Sequence, residues 1–409
     1  MESATRSYCL TINAGSSSIK FALYPALSGA APVFAGSIDG IGGAHASFSV
    51  RGALATDTFA RRFPVPEQVT AVNVLVDWLT ERVDPATLHS VAYRIVHGGP
   101  ECCATAPVTT AMLAALYAAA STDPAHLPQE ISLIEILRRR FPQAAHVACF
   151  DSHFHASMPR VASMLPIPRR YDALGVRRYG FHGLSCAWLM HALRALDPAA
   201  AQGKVILAHL GGGSSVTAVE GGASRDTTMG LTPAGGIPMA HRAGDLDPGL
   251  AWYFARHEQM TPAQFHHMVN HQSGLLGISG TSGDMQELLA HEETDRPAAE
   301  AVALYCYQVR KAICAMTGAI DGMGTLVFAG GIGERAAVVR ARICDGLRHL
   351  GVLLDADLNL RGAACISSPA SAVTVRVLHT DEEWMMADET RRLLAGSSAS
   401  SDVSGVAHG

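Results

Sequence analysis

Short runs rich in β-branched and aromatic residues alternate along this chain with longer segments whose apolar positions recur at three- and four-residue spacing. The runs predict strands over 8–12, 19–24, 90–96, 146–150, 204–210, 215–219, 325–328 and 373–378. The longer segments predict helices over 71–82, 111–120, 130–141, 298–323 and 334–350, with a last helix opening in HTDEEWMMADET (379–390). Elements interleaved in this way belong to the α/β class. The runs ending at Phe150 and Phe328 are short and bounded by Gly, Asp or Pro, which suits buried central strands.

The pattern also repeats. CLTINAGSSSIKFAL (9–23) and LAHLGGGSSVTAVEG (207–221) share one plan: a strand, a glycine turn, Ser-Ser, a second strand. Gly15-Ser16-Ser17 falls on Gly213-Ser214-Ser215, which suggests a duplicated domain.

Composition narrows the reading. At 409 residues and 48% hydrophobic, the chain can fill two cores, since a single core stops growing near ~250–300 residues. With 16% charged residues, a net charge of -5 and no basic stripe, nucleic acid is not an expected partner. The nine cysteines are scattered without a CxxC pair, the usage of reduced thiols in a cytoplasmic protein. No signal core and no apolar stretch of ~20 residues is found, so no membrane partner is expected. The Ser/Gly-rich residues 397–409 are expected to be disordered.

Three glycine turns carry the first chemistry: NAGSSSIK (13–20), HLGGGSS (209–215) and FAGGIGER (328–335). Backbone N–H groups in such turns converge on phosphate, hydroxyls add donors, and Lys20 adds a charge. Taken singly, each is also an ordinary hairpin or helix entry. None fits GxxxxGKS, and GGGSS is followed by a strand-like run, so neither a P-loop nor a dinucleotide fingerprint is indicated.

Arginines and histidines lie among small residues in YRIVHGG (93–99), DPAHLP (123–128), YGFHGLS (179–185) and HRAGDLDPG (241–249). Phosphoryl transfer between two anions needs cations at the reacting centre. Arg94 and Arg242 suit a bidentate grip on carboxylate or phosphoryl oxygens, although an Arg beside Asp245 also makes an ordinary surface ion pair. Asp151 ends a buried strand, where α/β ligand sites form and where a turn-initiating Asp is equally at home. Thr380 and Glu383 have capping-box spacing, which leaves Glu382 available to hold Mg²⁺.

Together these residues resemble the acetate kinase family of acetate and propionate kinases. The likeness runs from about residue 8 to about residue 394, through INAGSSSIKF, YRIVHGG, ACFDSHFH, YGFHGLS, LTPAGGIPMAHRAGDLDPG, SGLLGISG, FAGGIGER and TDEE. It implies a duplicated actin-like/sugar-kinase (ribonuclease H-like) fold, with two domains around an ATP cleft. The first would comprise 1–151 with a returning helix 387–396, and the second 152–386. A homodimer is the family expectation.

Carried over by residue, Asn13, Ser16, Ser18 and Lys20 match the first phosphate turn, and His209 with Gly211, Gly212 and Gly213 match the second. Arg94 and Arg242 match the active-site arginines, His182 the histidine at the transferred phosphoryl, and His126 a second active-site histidine. Asp151 and Glu382 match essential carboxylates linked to Mg²⁺ (or Mn²⁺), with Asn13 beside them. Asp284, Met285, Gln286, Gly331, Ile332, Gly333 and Glu334 fall in the nucleotide pocket. Arg94, Val96, Ala125, Phe181 and Pro233 line the acid pocket, with Ala125 where the family usually has Leu.

Several positions depart from the family. Gly212 stands for an Asn, Met285-Gln286 for an aromatic-Arg pair, Gly330 and Arg335 for Ala and Asn, His241 for a Thr, and Gly235 for an acidic residue. The transfer residues match and the nucleotide side is edited, so weaker nucleotide contacts are expected. The implied reaction is reversible in-line transfer between ATP and acetate, giving acetyl phosphate and ADP. Alternatives are a propionate-preferring kinase of the same family, a sugar kinase using Asp151 as base, and a non-carboxylate ATPase of the actin-like fold.

Overall fold

The computed structural model describes residues 7–15, 18–27, 29–43, 45–52, 57–120 and 127–401. The chain divides into two compact units, Met1–His153 with Asp381–Gly409, and Phe154–Thr380.

The first unit is built on an eight-stranded sheet. Its strands are β1 (Tyr8–Ala14), β2 (Ser18–Pro25), β3 (Phe34–Asp39), β4 (Ala46–Gly52), β5 (Phe59–Phe63), β6 (Leu88–Ile95), β7 (Ala106–Pro107) and β8 (Ala145–Phe150), in the order β5-β4-β3-β2-β1-β6-β8-β7. Alternate residues of β1 face opposite sides. Leu10, Ile12 and Ala14 join the core under helices Gln68–Thr80 and Leu127–Arg140. Helix Glu382–Ser401 packs against β1, β2, β6 and β8 through its buried Met385, Met386 and Ala387. Trp78 sits among Phe21, Phe34, Phe48 and Phe59, with ring centroids 5.3–6.1 Å apart. Full burial of one such side chain stabilises by about 1.5–3 kcal/mol.

The second unit carries β9 (Lys204–Leu210), β10 (Ser214–Glu220), β11 (Ala223–Thr227), β12 (Thr325–Ala329) and β13 (Thr374–Val377), in the order β11-β10-β9-β12-β13. Ile206, Ala208, Leu326 and Phe328 face a core built on helix Arg296–Ala319. Val205, Leu207, Val327 and Ala329 face a second core under helix Gly183–Leu196. The near-continuous apolar runs follow from burial on both faces.

The two sheets share one plan. β3-β2-β1-β6-β8 and β11-β10-β9-β12-β13 run through the same sequence of antiparallel, antiparallel, parallel and parallel pairings. The β1–β2 and β9–β10 turns therefore occupy equivalent positions, as the repeated glycine-serine segments predict.

Sequence and structure differ in places. Strands β3, β4, β5, β7 and β11 were not predicted; β3 and β4 mix buried with half-buried positions, β5 has no buried residue, and β7 is only two residues long, so these runs carry little apolar weight. The helix expected over 334–350 is broken into Gly330–Arg335, Ala337–Asp345 and a turn at Arg348–Leu350. Ala336 leaves helical geometry (φ -93, ψ 81), and the buried Arg340 side chain donates to the carbonyls of Gly333 and Glu334 at 2.8 Å. Those carbonyls are the ends that a continuous helix would have satisfied internally. The last helix runs to Ser401, past the point where a disordered tail was expected, and residues 402–409 lie outside the described residues. It starts at Glu382, within the segment HTDEEWMMADET expected to open it and ahead of the 387 given for the part returning to the first domain.

Candidate active site

In the first unit the candidate residues gather at the carboxyl ends of β1, β6 and β8. Asn13 lies near the end of β1, opposite Lys20 across the hairpin, and Ser18 opens β2 with its carbonyl accepting from Gly15 N–H at 2.8 Å. Ser16 lies outside the described residues, as do Ala125 and His126.

Arg94, next to last in β6, donates through Nη2 to Asp151 Oδ2 at 2.9 Å. Asp151 follows β8 directly, and its backbone N–H is held by the Ile95 carbonyl at 2.9 Å. The Asp151 side chain is fully buried, and that of Arg94 is 16% exposed. Burial alone would pull the guanidinium pKa down, but Asp151, Glu382 and Glu130 outweigh it and push the value up, so Arg94 stays charged. Val96, buried beside it, gives its N–H to the buried Glu130 carboxylate at 3.2 and 3.3 Å. Nothing in the sequence pattern pointed to Glu130, which reads there as one more polar position on a helix.

Asn13 Nδ2 donates to Glu382 Oε2 at 3.0 Å and to Glu383 Oε1 at 3.4 Å. This corrects the capping box expected from Thr380 and Glu383. The cap is made by Asp381, whose Oδ1 accepts from Trp384 N–H at 2.8 Å. Thr380 turns instead to Ser185. Glu383 is thereby released from the cap to face Asn13. Burial raises its pKa, the neighbouring Glu382 adds to this, and Lys20 opposes it. Spacing alone could not tell adjacent capping residues apart.

The second unit holds the remaining candidates. His182 takes a left-handed backbone (φ 59) at the start of helix Gly183–Leu196, a conformation uncommon for a residue with a Cβ. Its Nδ1 is 3.0 Å from Ser215 Oγ on β10. Its ring lies 4.2 Å, centroid to centroid, from His209, whose Nδ1 is 2.7 Å from Ser185 Oγ. A Cβ placed on Gly213 would lie 3.0 Å from His182 Nε2 and 3.9 Å from Arg242 Nη1. Imidazole and guanidinium therefore meet at the same turn. Phe181 is buried just before His182, and its carbonyl accepts from His155 Nε2 at 2.9 Å.

Arg242 is aimed by its loop. Nη1 donates to the Pro233 carbonyl at 3.2 Å, and the backbone is pinned by Met239 N–H to Arg242 O and Ser273 N–H to His241 O, both at 3.0 Å. Gly274 (φ +63) allows this, because a Cβ there would come within 2.2 Å of Met239 O and 2.6 Å of Arg242 O. The SGLLGISG motif is thus the seat of the Arg242 loop.

Gly211, Gly212, Gly331, Ile332, Asp284, Met285 and Gln286 line one cavity of ≈ 660 Å³, together with His241, Ser282 and Arg335. That volume lies in the range of small-molecule sites. Asp284 Oδ1 accepts from Gln286 N–H at 2.7 Å and Glu287 N–H at 3.2 Å, opening the helix on which Met285 is buried. Gly333 is buried, and neither it nor Glu334 lines the cavity. Glu334 Oε1 accepts from Gly330 N–H at 3.1 Å, and Oε2 pairs with His379 at 2.9 Å. Ser185 had no sequence signal beyond being a hydroxyl residue in a motif, Ser215 was marked only as part of the repeated glycine-serine turn, and Thr380 only as a cap.

Set beside known proteins, the sequence profile of the Acetokinase family matches residues 8–388. An acetate kinase of Rhodopseudomonas palustris (strain TIE-1) is 39% identical over 398 residues, covering 95% of this chain and 98% of that protein. A propionate kinase of Escherichia fergusonii is 37% identical over 400 residues, covering 96% and 98%. Among solved structures, a propionate kinase from Francisella tularensis superposes with a TM-score of 0.87 at 31% identity, covering 94% of this chain and 98% of that one. Porphyromonas gingivalis acetate kinase gives a TM-score of 0.83 at 28% identity, over 95% and 100%.

Proposed function

The chain belongs to the acetokinase family, and on that premise we propose that it moves a phosphoryl group between ATP and a short-chain carboxylic acid, acetate or propionate, giving ADP and the acyl phosphate and running in reverse. The fold is the duplicated actin-like one of those kinases. The observation that carries the reading is the meeting of Arg242 and His182 at Gly213, in the turn whose Gly211 and Gly212 line the ≈ 660 Å³ cavity.

A carboxylate acceptor has a pKa near ~4–5 and is ionised at neutral pH, so no general base is required. The work is electrostatic. The turns supply N–H groups to the nucleotide phosphates. Arg94 holds the acid carboxylate, with Val96 beside it toward the alkyl end. Arg242 and His182 offset the charge spreading over the phosphoryl oxygens in the transition state. Asp151 holds Arg94 charged and oriented rather than accepting a proton, which disfavours the sugar-kinase reading.

The residues fit a divalent cation. Glu382 and Glu383 meet at one Asn13 amide, and Glu383 is raised partly by its neighbour, a repulsion that a cation would relieve. Among the described residues no three His, Cys, Asp or Glu side chains cluster as a metal cage. That suits Mg²⁺, which takes one or two carboxylates and keeps water and phosphate oxygens as its other ligands. Glu382 and Asn13 would hold it, with Asp151 behind, and bound Mg²⁺ would neutralise phosphate charge.

No helix among the described residues is long and apolar enough to cross a membrane. We assign the enzyme to the cytoplasm, supported by its nine free cysteines. We also assign it a homodimeric state, supported by helix Gly249–His257, which has no buried residue and exposes Trp252 at 74% and Tyr253 at 52%. Sedimentation of the Trp252→Glu variant as a dimer would remove that helix from the interface.

Trapping of the acyl phosphate as a hydroxamate tests the reaction. We expect product from ATP with acetate, and from propionate within about tenfold, because one methylene in an apolar pocket changes binding by only ~1–3 kcal/mol. Ala125→Leu should move the ratio toward acetate. Absence of hydroxamate with acetate, propionate and butyrate would reject the assignment.

A further inference from the structure

The two stacked histidines of the second unit are each backed by a buried serine. Ser185 is fully buried, and its Oγ accepts from Thr380 Oγ1 at 2.8 Å. A hydroxyl has one proton, and leaving it without an acceptor away from water costs about 1–3 kcal/mol. The remaining partner of Ser185 Oγ is His209 Nδ1 at 2.7 Å. The Ser185 proton therefore goes to Nδ1, and the ring's own proton is left on Nε2. Ser215 is 1% exposed, and its Oγ meets His182 Nδ1 at 3.0 Å, so the same argument applies there.

The consequence lies on the other edge of each ring. His182 Nε2 is 3.0 Å from the Cβ position of Gly213, and His209 Nε2 is 4.0 Å from that of Gly211. Both Nε2 atoms face the glycine turn whose residues enter the nucleotide cavity. Centroids 4.2 Å apart also disfavour two imidazolium charges, which fits rings held neutral by serine donors.

We propose that Ser185, Ser215 and Thr380 are positioning residues: buried hydroxyls that fix His209 and His182 as neutral Nε2–H tautomers, so that both rings present an N–H donor to a phosphate oxygen at the Gly211–Gly213 turn. The tautomers are a property of the free protein; their use on phosphate rests on the kinase reading above. Thr380 adds the outer link, since its proton occupies Ser185 Oγ and directs the serine's own proton inward.

The test is ¹⁵N-detected histidine NMR on the free full-length protein, with the two rings among the 19 histidines assigned by loss of their signals in His182→Gln and His209→Gln. Both rings are expected to show Nε2 protonated and Nδ1 bare. Ser185→Ala should move His209 toward a mixture of tautomers, and Ser215→Ala should do so for His182. In kinetics, Ser185→Ala should raise KM for ATP about threefold to tenfold, the effect of one neutral hydrogen bond, with a smaller change in kcat. Thr380→Val should follow it in direction, while Thr380→Ser, which keeps the hydroxyl, should match the unmodified enzyme. Nδ1-protonated rings in the unmodified protein, or His209 signals and KM unmoved by Ser185→Ala, would overturn the proposal. Absence of any kinase turnover in the unmodified enzyme would instead strike the kinase reading, leaving the tautomer result to stand or fall by the spectra.

Discussion

Arg94 Nη2 lies 2.9 Å from Asp151 Oδ2, and the aspartate of this pair has no solvent exposure. Removing one partner of such a pair leaves a buried charge uncompensated, at about 3–5 kcal/mol. Arg94→Ala should therefore lose stability by about that amount as well as losing activity. Denaturant unfolding checks this, and a midpoint equal to that of the unmodified protein would show that Asp151 is not held by Arg94.

Arg242→Ala should behave differently. Its Nη1 donates to neutral partners, the Pro233 carbonyl at 3.2 Å and Met239 Sδ at 3.8 Å, each worth about 1 kcal/mol. The loss in kcat should be on the order of 10³–10⁵, the range for an arginine that stabilises phosphoryl-transfer charge. A variant turning over within tenfold of the parent would remove Arg242 from the transition state.

Asp381→Ala should destabilise the protein by about 1 kcal/mol through loss of the cap on Trp384 N–H. Glu383→Gln should leave that cap intact, and its effect should appear in Mg²⁺-dependent turnover. Thermal unfolding of the two variants separates the roles, and a larger melting loss in Glu383→Gln would return the cap to Glu383.

Gly212 has no atom within 4 Å of where its Cβ would be. Gly212→Asn should be accommodated without strain and add a side-chain donor at the cavity wall, lowering KM for ATP by about tenfold if it reaches a phosphate oxygen. An unchanged KM would mean that residue 212 does not reach the nucleotide.

His146 predicts part of the pH dependence of stability. Its Nδ1 accepts from the Tyr93 hydroxyl at 2.6 Å, and Nε2–H donates to Phe141 O at 3.0 Å. Burial lowers its pKa, the Arg138 charge lowers it further, and the Phe141 carbonyl opposes both. The folded state then binds fewer protons than the unfolded one just below the ordinary histidine value of about 6.5. Stability should fall as the pH drops through that value. His146→Gln should flatten this part of the profile; an unaltered slope between about pH 5 and 7 would place the titrating group elsewhere.

The sequence by itself determined the class of fold, the positions of the buried strands and the repeated turn. These follow from local rules: β9 and β12 carry consecutive apolar residues because both faces are covered, β1 is buried along most of its length, and glycine turns mark where they end. Arg94, Asp151, His182 and Arg242 stood out because charged residues among small ones are poor choices for packing alone. Tertiary structure decided what depends on partners distant in the chain. Glu383 and Thr380 have capping-box spacing, yet the cap went to Asp381, because Ser185, 195 positions away, takes the Thr380 hydroxyl and Asn13, 370 away, takes Glu383. The helix after Gly333 broke because Arg340 satisfies its carbonyls from within a core. The protons of His182 and His209 are assigned by serines that local pattern could not single out, since a hydroxyl's role depends on where its one proton can go, and that is set only once the chain has folded around it.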